Sequence, residues 1–232
     1  MRKRAAADAI EVNFLTDPLC PWSWAMAPLV ASLREDAKVA FRSIMTGWLP
    51  SLAAKGVDAA KQEWREASAT TGAGVDLSYW DRVAPATSLV AAAAVKAADF
   101  QGTAKGEAYL AEAREAAFAR DEDVSSFDVL CRVADRTQLK ADMFRTDLGV
   151  GRYTVDEVVN ALGEVSPTSE AVWLFGRRKM LRCWQDLGED LRNAERQGLG
   201  SPAFHILHGK RDAVLRGFCT KAQVDGVLQD LA

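Results

Sequence analysis

The sequence predicts an α/β fold interrupted by a large all-helical insertion. Three observations predict it. A strand–helix–strand unit opens the chain, an alanine-rich stretch with few β runs fills the middle, and a helix, two short strands and a helix close it. The order is β-α-β, helical block, α-β-β-α. It implies one discontinuous domain over 8-53 and 186-232, with a helical insertion domain over 54-185. A length of 232 residues suits a core domain carrying such an insertion.

Ile10 to Thr16, IEVNFLT, is rich in β-branched and aromatic residues and reads as the first strand, ended by Asp17-Pro18. From Pro21 to Leu33 the residues Trp22, Ala25, Met26, Leu29, Val30 and Leu33 recur at helical spacing. Lys38 to Met45, KVAFRSIM, is a second strand closed by Gly47 and Pro50, and the whole unit has the length of a parallel crossover. In the middle block, Ser88 to Ala98 and Lys105 to Arg120 are helices on propensity. Ser125 to Ala134 is another, with Ser125 and Asp128 at capping-box spacing and Phe127, Leu130, Cys131 and Ala134 on one face. Ser166 as N-cap and Pro167 at the first helical position announce a helix carrying Trp173, Met180, Leu181 and Trp184 on one face.

From about Asp186 a helix runs through Leu191 and Ala194 to the glycines of GLGSP, Gly198 to Pro202. Ala203 to Leu207 is a strand, His208-Gly209-Lys210 a turn, and Ala213 to Leu215 begins the return strand, released by Gly217. Thr220 and Gln223, again at capping-box spacing, open a final helix to Leu231.

Hydrophobic residues make up 49% and charged residues 26%, as in ordinary globular proteins. A net charge of -3 argues against nucleic acid, whose phosphates are met by a clear basic excess. Arg177-Arg178-Lys179 reads as the solvated face of a helix. MRKRAAADAIEVNFL is basic but lacks the apolar core of a signal peptide, and no later stretch approaches the ~18 apolar residues of a membrane span. A cytoplasmic protein without a membrane partner is therefore expected. Four widely spaced cysteines, Cys20, Cys131, Cys183 and Cys219, agree with a reducing compartment. There is no Walker-type loop and no G-x-S-x-G elbow, and His205 and His208 have no metal-ligand spacing, so no metal is expected.

Cys20 sits at the end of the strand-to-helix loop with Pro21 as the first helical residue. A thiol there sees unpaired amides and the positive end of the helix dipole. Both favour thiolate, which predicts a depressed pKa and a nucleophilic sulfur. Cys131 falls on an apolar helical face and reads as core, and Cys219 is expected to lie far from the Cys20 helix.

D-P-L-C-P-W-S-W after a first strand, the all-helical insertion, the segment QG…AFARDEDVSSFDVL and S-P-A-F before a hairpin resemble the DsbA family of thioredoxin-like proteins, in particular its cytoplasmic FrnE-like branch. The resemblance implies a thioredoxin-like fold and a thiol-disulfide oxidoreductase with Cys20 as nucleophile. It implies that Pro202 is the family's cis-proline, that the Ser201 backbone pairs with an extended substrate, and that Pro21 and Trp22 border the thiol site. Trp24 either lines that site or packs between the two parts of the chain.

Ser23 departs from C-x-x-C, where the second cysteine resolves the mixed disulfide. A serine cannot do so; its hydroxyl can hydrogen-bond a nearby thiolate. What remains is a monothiol route, with no tightly bound cofactor and with glutathione or another low-molecular-weight thiol as co-substrate. The partner is then a thiol or disulfide substrate, small molecule or protein. Two alternatives stay open. Kappa-class glutathione transferases and hydroxychromene-carboxylate isomerases resemble the motif at S-P-Y-S, with serine where Cys20 stands. Other cytoplasmic relatives are adaptors that present a partner to a protease, for which Ser23 is harmless.

Overall fold

The computed structural model describes residues 9–232, so most of the basic N-terminal run and residue 8 lie outside it. Strands β1 (Ile10–Thr16), β2 (Val39–Met45), β3 (Ala203–His208) and β4 (Arg211–Arg216) form a sheet in the order β2-β1-β3-β4. β1 runs parallel to β2 and antiparallel to β3, and β3–β4 is a hairpin. Helices α1 (Pro21–Ala25) and α2 (Ala27–Glu35) make the crossover from β1 to β2. Between β2 and β3 come α3 (Leu52–Lys55), α4 (Val57–Thr71), α5 (Tyr79–Arg82), α6 (Leu89–Asp99), α7 (Thr103–Arg120) and α8 (Phe127–Arg136). There follow α9 (Ala141–Leu148), α10 (Val155–Glu164), α11 (Thr168–Lys179) and α12 (Arg182–Gln197). α13 (Lys221–Leu231) closes the chain, completing the α/β arrangement with its helical insertion.

The period-two alternation of β1 sorts its side chains between two cores. Ile10, Val12 and Phe14 pack with Leu29, Val30 and Leu33 of α2 and with Val224 and Leu231 of α13. Phe14 stacks on Phe204, its register partner in β3, with ring centroids 4.7 Å apart. Leu15 faces the other way, onto Ile44, Ala194, Leu199 and Ala203 under α12. Each such side chain contributes about 1.5–3 kcal/mol by leaving water.

The helical block is built around α6, where every residue except Lys96 and Asp99 is buried. A helix apolar on all sides must be surrounded, and its alanines let α7, α9 and α12 approach closely. α11 and α12 interlock through two glycines. A Cβ on Gly188 would meet Trp173 Cβ at 2.7 Å, and one on Gly176 would meet Trp184 Cβ at 2.7 Å.

The block is fastened to the outer edge of β2 by carboxylates. Ser43 N–H donates to Glu107 Oε1 at 2.8 Å and Ser43 Oγ to Glu107 Oε2 at 2.9 Å. Met45 N–H donates to Asp190 Oδ2 at 3.1 Å, which Lys96 Nζ also meets at 2.8 Å. Asp99 lies 3.8 Å from Lys96, and Arg42 3.7 Å from Asp190.

Several boundaries depart from the sequence expectation for local reasons. The helix expected over Pro21 to Leu33 is broken at Met26, because Pro28 has no N–H for the Trp24 carbonyl. Ser125 does not cap α8. Its N–H and Oγ both donate to Asp123 Oδ1, at 2.8 and 2.6 Å, and the helix starts after Ser126. Pro167, after a cis peptide bond, is itself the N-cap of α11. That helix ends at Lys179, so Met180 is left-handed and 80% exposed rather than part of the apolar face. Leu181 and Trp184 belong with α12, which is continuous across residues 185 and 186. Gly198 ends α12 in the left-handed conformation, and the Thr220–Gln223 capping box is formed. Arg177-Arg178-Lys179 lies at the end of α11, where Arg178 pairs with Glu164 and Lys179 with Glu157.

Candidate active site

Thr16, the last residue of β1, and the following Asp17 and Leu19 are fully buried, so the loop carrying Cys20 runs through the interior. Asp17 shapes it. Its Oδ1 accepts Leu19 N–H at 2.8 Å, and its Oδ2 accepts Trp48 N–H and Ser88 Oγ, each at 2.7 Å. Trp64 Nε1 donates to the Leu19 carbonyl at 3.3 Å. From α7, Arg114 Nη2 donates to Thr16 Oγ1 and, at 3.2 Å, to the Asp17 carbonyl. The loop is thus held by α4, α6, α7 and the segment that follows β2 at once.

Cys20 is the N-cap of α1, extended at φ -72° and ψ 115°, with its carbonyl accepting Trp24 N–H at 3.1 Å. Pro21 occupies the first helical position without loss, as that amide has no intrahelical partner. The Ser201–Pro202 bond is cis, Pro202 is buried, and its carbonyl accepts Gly217 N–H at 2.9 Å. This brings Phe218 beside the site, 6.4 Å from Trp22 between ring centroids. Trp22 is half-buried. Trp24 instead stacks on Phe118 of α7, at 5.3 Å and 2° between ring planes, and its Nε1 donates to the Gly74 carbonyl at 3.2 Å. Of its two expected places, Trp24 takes the one between the crossover and the helical block.

The predicted depression of the Cys20 pKa is not what the structure gives. Burial pushes the thiol above its ordinary value, because a fully enclosed thiolate loses its hydration. Ser201 Oγ, Ser23 Oγ and the Ser23 amide, as donors near the sulfur, oppose this by favouring a negative charge on it, while the Asp17 charge adds to it. Both hydroxyls are buried and make no hydrogen bond. They are donors held in reserve for an anion on sulfur. Asp17 is itself raised by burial, against hydrogen bonds from Ser88, Leu19 and Trp48 and the attraction of Arg114. Burial lowers Arg114 to about 10, against the attractions of Cys20, Glu107 and Asp17.

The structure therefore gathers Cys20, Pro21, Trp22, Ser23, Ser201 and Pro202 at one place. Sequence reading missed Asp17, taken only as a strand terminator, and Arg114. A signal for Arg114 exists: with Leu110, Ala113 and Ala117 it completes an i, i+3, i+4, i+7 stripe, so an arginine stands on an apolar face. The expectation for Cys219 is corrected. Its N–H donates to Met26 Sδ at 3.3 Å, so it packs on the junction of α1 and α2 rather than far from them. Cys131 is buried on the apolar face of α8, and Cys183 is buried with Sγ 3.1 Å from the Asp147 carbonyl. His205 pairs with Asp212 at 3.1 Å and His208 with the Leu231 carbonyl at 2.7 Å. Among the described residues no group of three or more His, Cys, Asp or Glu side chains is arranged to hold a metal ion. No described helix is long and apolar enough to cross a membrane.

The profile of the Thioredoxin_5 family, described as thioredoxin, matches residues 14–154, from β1 through Cys20 and most of the helical block. The chain belongs to this thioredoxin family. Among solved structures it is similar to a Nitrosomonas europaea protein provisionally called a protein disulfide isomerase. That likeness has a TM-score of 0.70 at 16% identity, over 97% of this chain and 100% of the other. The cytosolic disulfide reductase DsbM from Pseudomonas aeruginosa is similar with a TM-score of 0.66 at 19% identity, over 94% and 98%. These likenesses show the thioredoxin-like fold. In sequence the chain is similar to the ClpXP adapter protein SpxH of Bacillus subtilis, 29% identical over 144 residues, covering 60% of this chain and 48% of that protein. The chain spans about half the length of the curated relatives it matches.

Proposed function

We propose that this protein carries out thiol-disulfide exchange through Cys20 as a single nucleophile, in the manner of the DsbA family's FrnE-like branch. The observation that carries this reading is the pair of buried hydroxyls without hydrogen-bond partners, Ser23 and Ser201, both close enough to the sulfur to favour a negative charge on it. Such donors favour the thiolate form and are unneeded around an inert thiol. Ser23 takes the place of a resolving cysteine, so turnover requires an external thiol. The Cys20 thiolate attacks the glutathione sulfur of a mixed disulfide. A Cys20–glutathione disulfide forms, and the substrate thiolate leaves and takes a proton. A second glutathione thiolate then attacks that disulfide, giving glutathione disulfide and the Cys20 thiolate. The net exchange turns the substrate's mixed disulfide and one glutathione into the free substrate thiol and glutathione disulfide, one disulfide bond breaking as one forms. The Ser201 backbone, Pro202 and the Trp22–Phe218 pair border the place where the substrate lies, and the setting is a reducing cytoplasm. DsbM is known in complex with GSH, which supports glutathione as the co-substrate.

The test is intact-mass measurement after treatment with oxidised glutathione across about pH 5 to 9, beside Cys20→Ser. One glutathione added at Cys20 and removed by reduced glutathione is expected. No adduct below about pH 8 would move the function to the second reading, a protein-binding adaptor. That reading draws on the similarity to SpxH and on the full burial of Cys20.

A further inference from the structure

We propose that the outer edge of β4 docks a second copy of this chain, in a twofold antiparallel strand pair centred on Val214. The inference is independent of the chemistry assigned to Cys20.

The hairpin decides which backbone groups of β4 face outward. His208 lies opposite Arg211, Ile206 opposite Ala213 and Phe204 opposite Leu215, and in step with them Gly217 N–H donates to the Pro202 carbonyl at 2.9 Å. Alternate pairs of an antiparallel ladder are the hydrogen-bonded ones, so the amides and carbonyls of Arg211, Ala213 and Leu215 point at β3. Those of Asp212, Val214 and Arg216 point away from it. Among the described residues no strand lies beyond β4 to meet them. The side chains follow the same alternation. Ala213 and Leu215 pack on the core formed with α2 and α13, while Asp212, Val214 and Arg216 are exposed, Val214 by 38%.

A twofold pair requires outward groups to meet outward groups, and the surface must complement itself. With Val214 opposite its own copy, Asp212 falls opposite Arg216 on both sides of the axis, and about six ladder hydrogen bonds form. Apolar meets apolar at the centre, and opposite charges flank it. The neighbouring registers are worse. A slip one way sets Asp212 opposite Val214 and Lys210 opposite Arg216, and a slip the other way sets Arg216 opposite Val214. A further slip centres the axis on Asp212 or on Arg216, with like charges in contact, which is destabilising. Asp212 and Arg216 are already steadied on this face, Asp212 Oδ2 by His205 at 3.1 Å and Arg216 Nη1 by the Gly198 carbonyl at 2.6 Å. Each keeps further polar atoms for a partner. The Cys20 site lies at the Gly217 end of β4, so antiparallel pairing sends the two sites to opposite ends of the joined sheet. Once two copies meet, neither β4 has a free side, and assembly stops at the dimer. The contact is made by a strand of six residues, so the dimer is reversible.

The test is sedimentation velocity of the full chain at micromolar to submillimolar concentration, in the wild type, Asp212→Arg, Arg216→Asp and Val214→Lys. The wild type is expected to show a concentration-dependent dimer. Each single charge reversal sets like charges opposite one another twice and weakens that dimer by about tenfold or more. An equimolar mixture of Asp212→Arg and Arg216→Asp restores both opposite-charge pairs, and a dimer at wild-type strength returns. Val214→Lys puts two ammonium groups on the axis and gives a monomer. A wild type that stays monomeric throughout overturns the proposal, and so do charge reversals that dimerise like the wild type or a mixture that stays monomeric. Should Arg216→Asp fail to fold without its contact to Gly198, wild-type dimerisation in Asp212→Arg and Val214→Lys would still refute the pairing, and its loss in both would uphold it. Cys20→Ser is expected to dimerise like the wild type, so failure of the exchange chemistry and failure of this pairing are read separately.

Discussion

Replacing Ser23 by cysteine would put a second sulfur three residues along α1 from Cys20, the spacing at which side chains share a helix face and at which disulfide geometry is met. Ser23→Cys is therefore expected to oxidise to an internal disulfide between Cys20 and the introduced thiol, and to reduce substrate without a second thiol. Mass spectrometry would show the loss of two hydrogens, and two persistently free thiols would show that position 23 does not face the sulfur. At this scale the reading from sequence is uneven for a definite reason. Cys20, Ser23, Ser201 and Pro202 stand in short motifs whose neighbours in sequence are neighbours in space. The direction of the Cys20 pKa depends on how deeply the loop is buried, and that is decided by Trp64, Ser88 and Arg114, which lie tens of residues away. Local helix-terminus logic supplies one contribution and misses the larger one.

Among the elements, the α11–α12 pair shows what hydropathy cannot convey. Gly188 sits under Trp173 so closely that an added methyl would lie 2.7 Å from the tryptophan Cβ and 2.9 Å from its backbone. Gly188→Ala gains helix propensity but forces the helices apart, and a net loss of about 1–3 kcal/mol is expected from the denaturant midpoint. An unchanged or raised midpoint would mean the pair can separate without cost. The strands, the final capping box and the core helices α6 and α7 are legible in the sequence because period and propensity are local properties. The break at Met26 is legible too, in Pro28, but the apolar spacing across it reads as one helix. Ser125 reads as a cap by spacing alone, yet Asp123 competes for its hydroxyl, and a spacing rule cannot see the competitor.

For the whole molecule, the junction between sheet and helical block is a cluster of carboxylates with too few cations. Asp99 faces Lys96, Glu107, Asp190 and Arg42, and burial pushes it up to about 7 from an ordinary 3.8. In that interval the folded chain holds a proton that the unfolded chain lacks. The associated stability is complete below about pH 4 and is lost as pH rises through about 7. Asp99→Asn removes this dependence. Its melting temperature should match the wild type near or below pH 4 and exceed it by on the order of several degrees near pH 8. Parallel melting curves for the two proteins across that range would place the titration elsewhere. The same junction bears on how the protein behaves in a crowded solution. β2 is an outer strand, and a bare outer strand is a template on which another chain can lay down its own backbone. Here the amides of Ser43 and Met45 already bind carboxylates from α7 and α12, so an incoming strand would meet occupied donors and a ring of negative charge. Growth of the sheet by strand addition is closed on that side, leaving β4 as the border from which self-association has to be guarded.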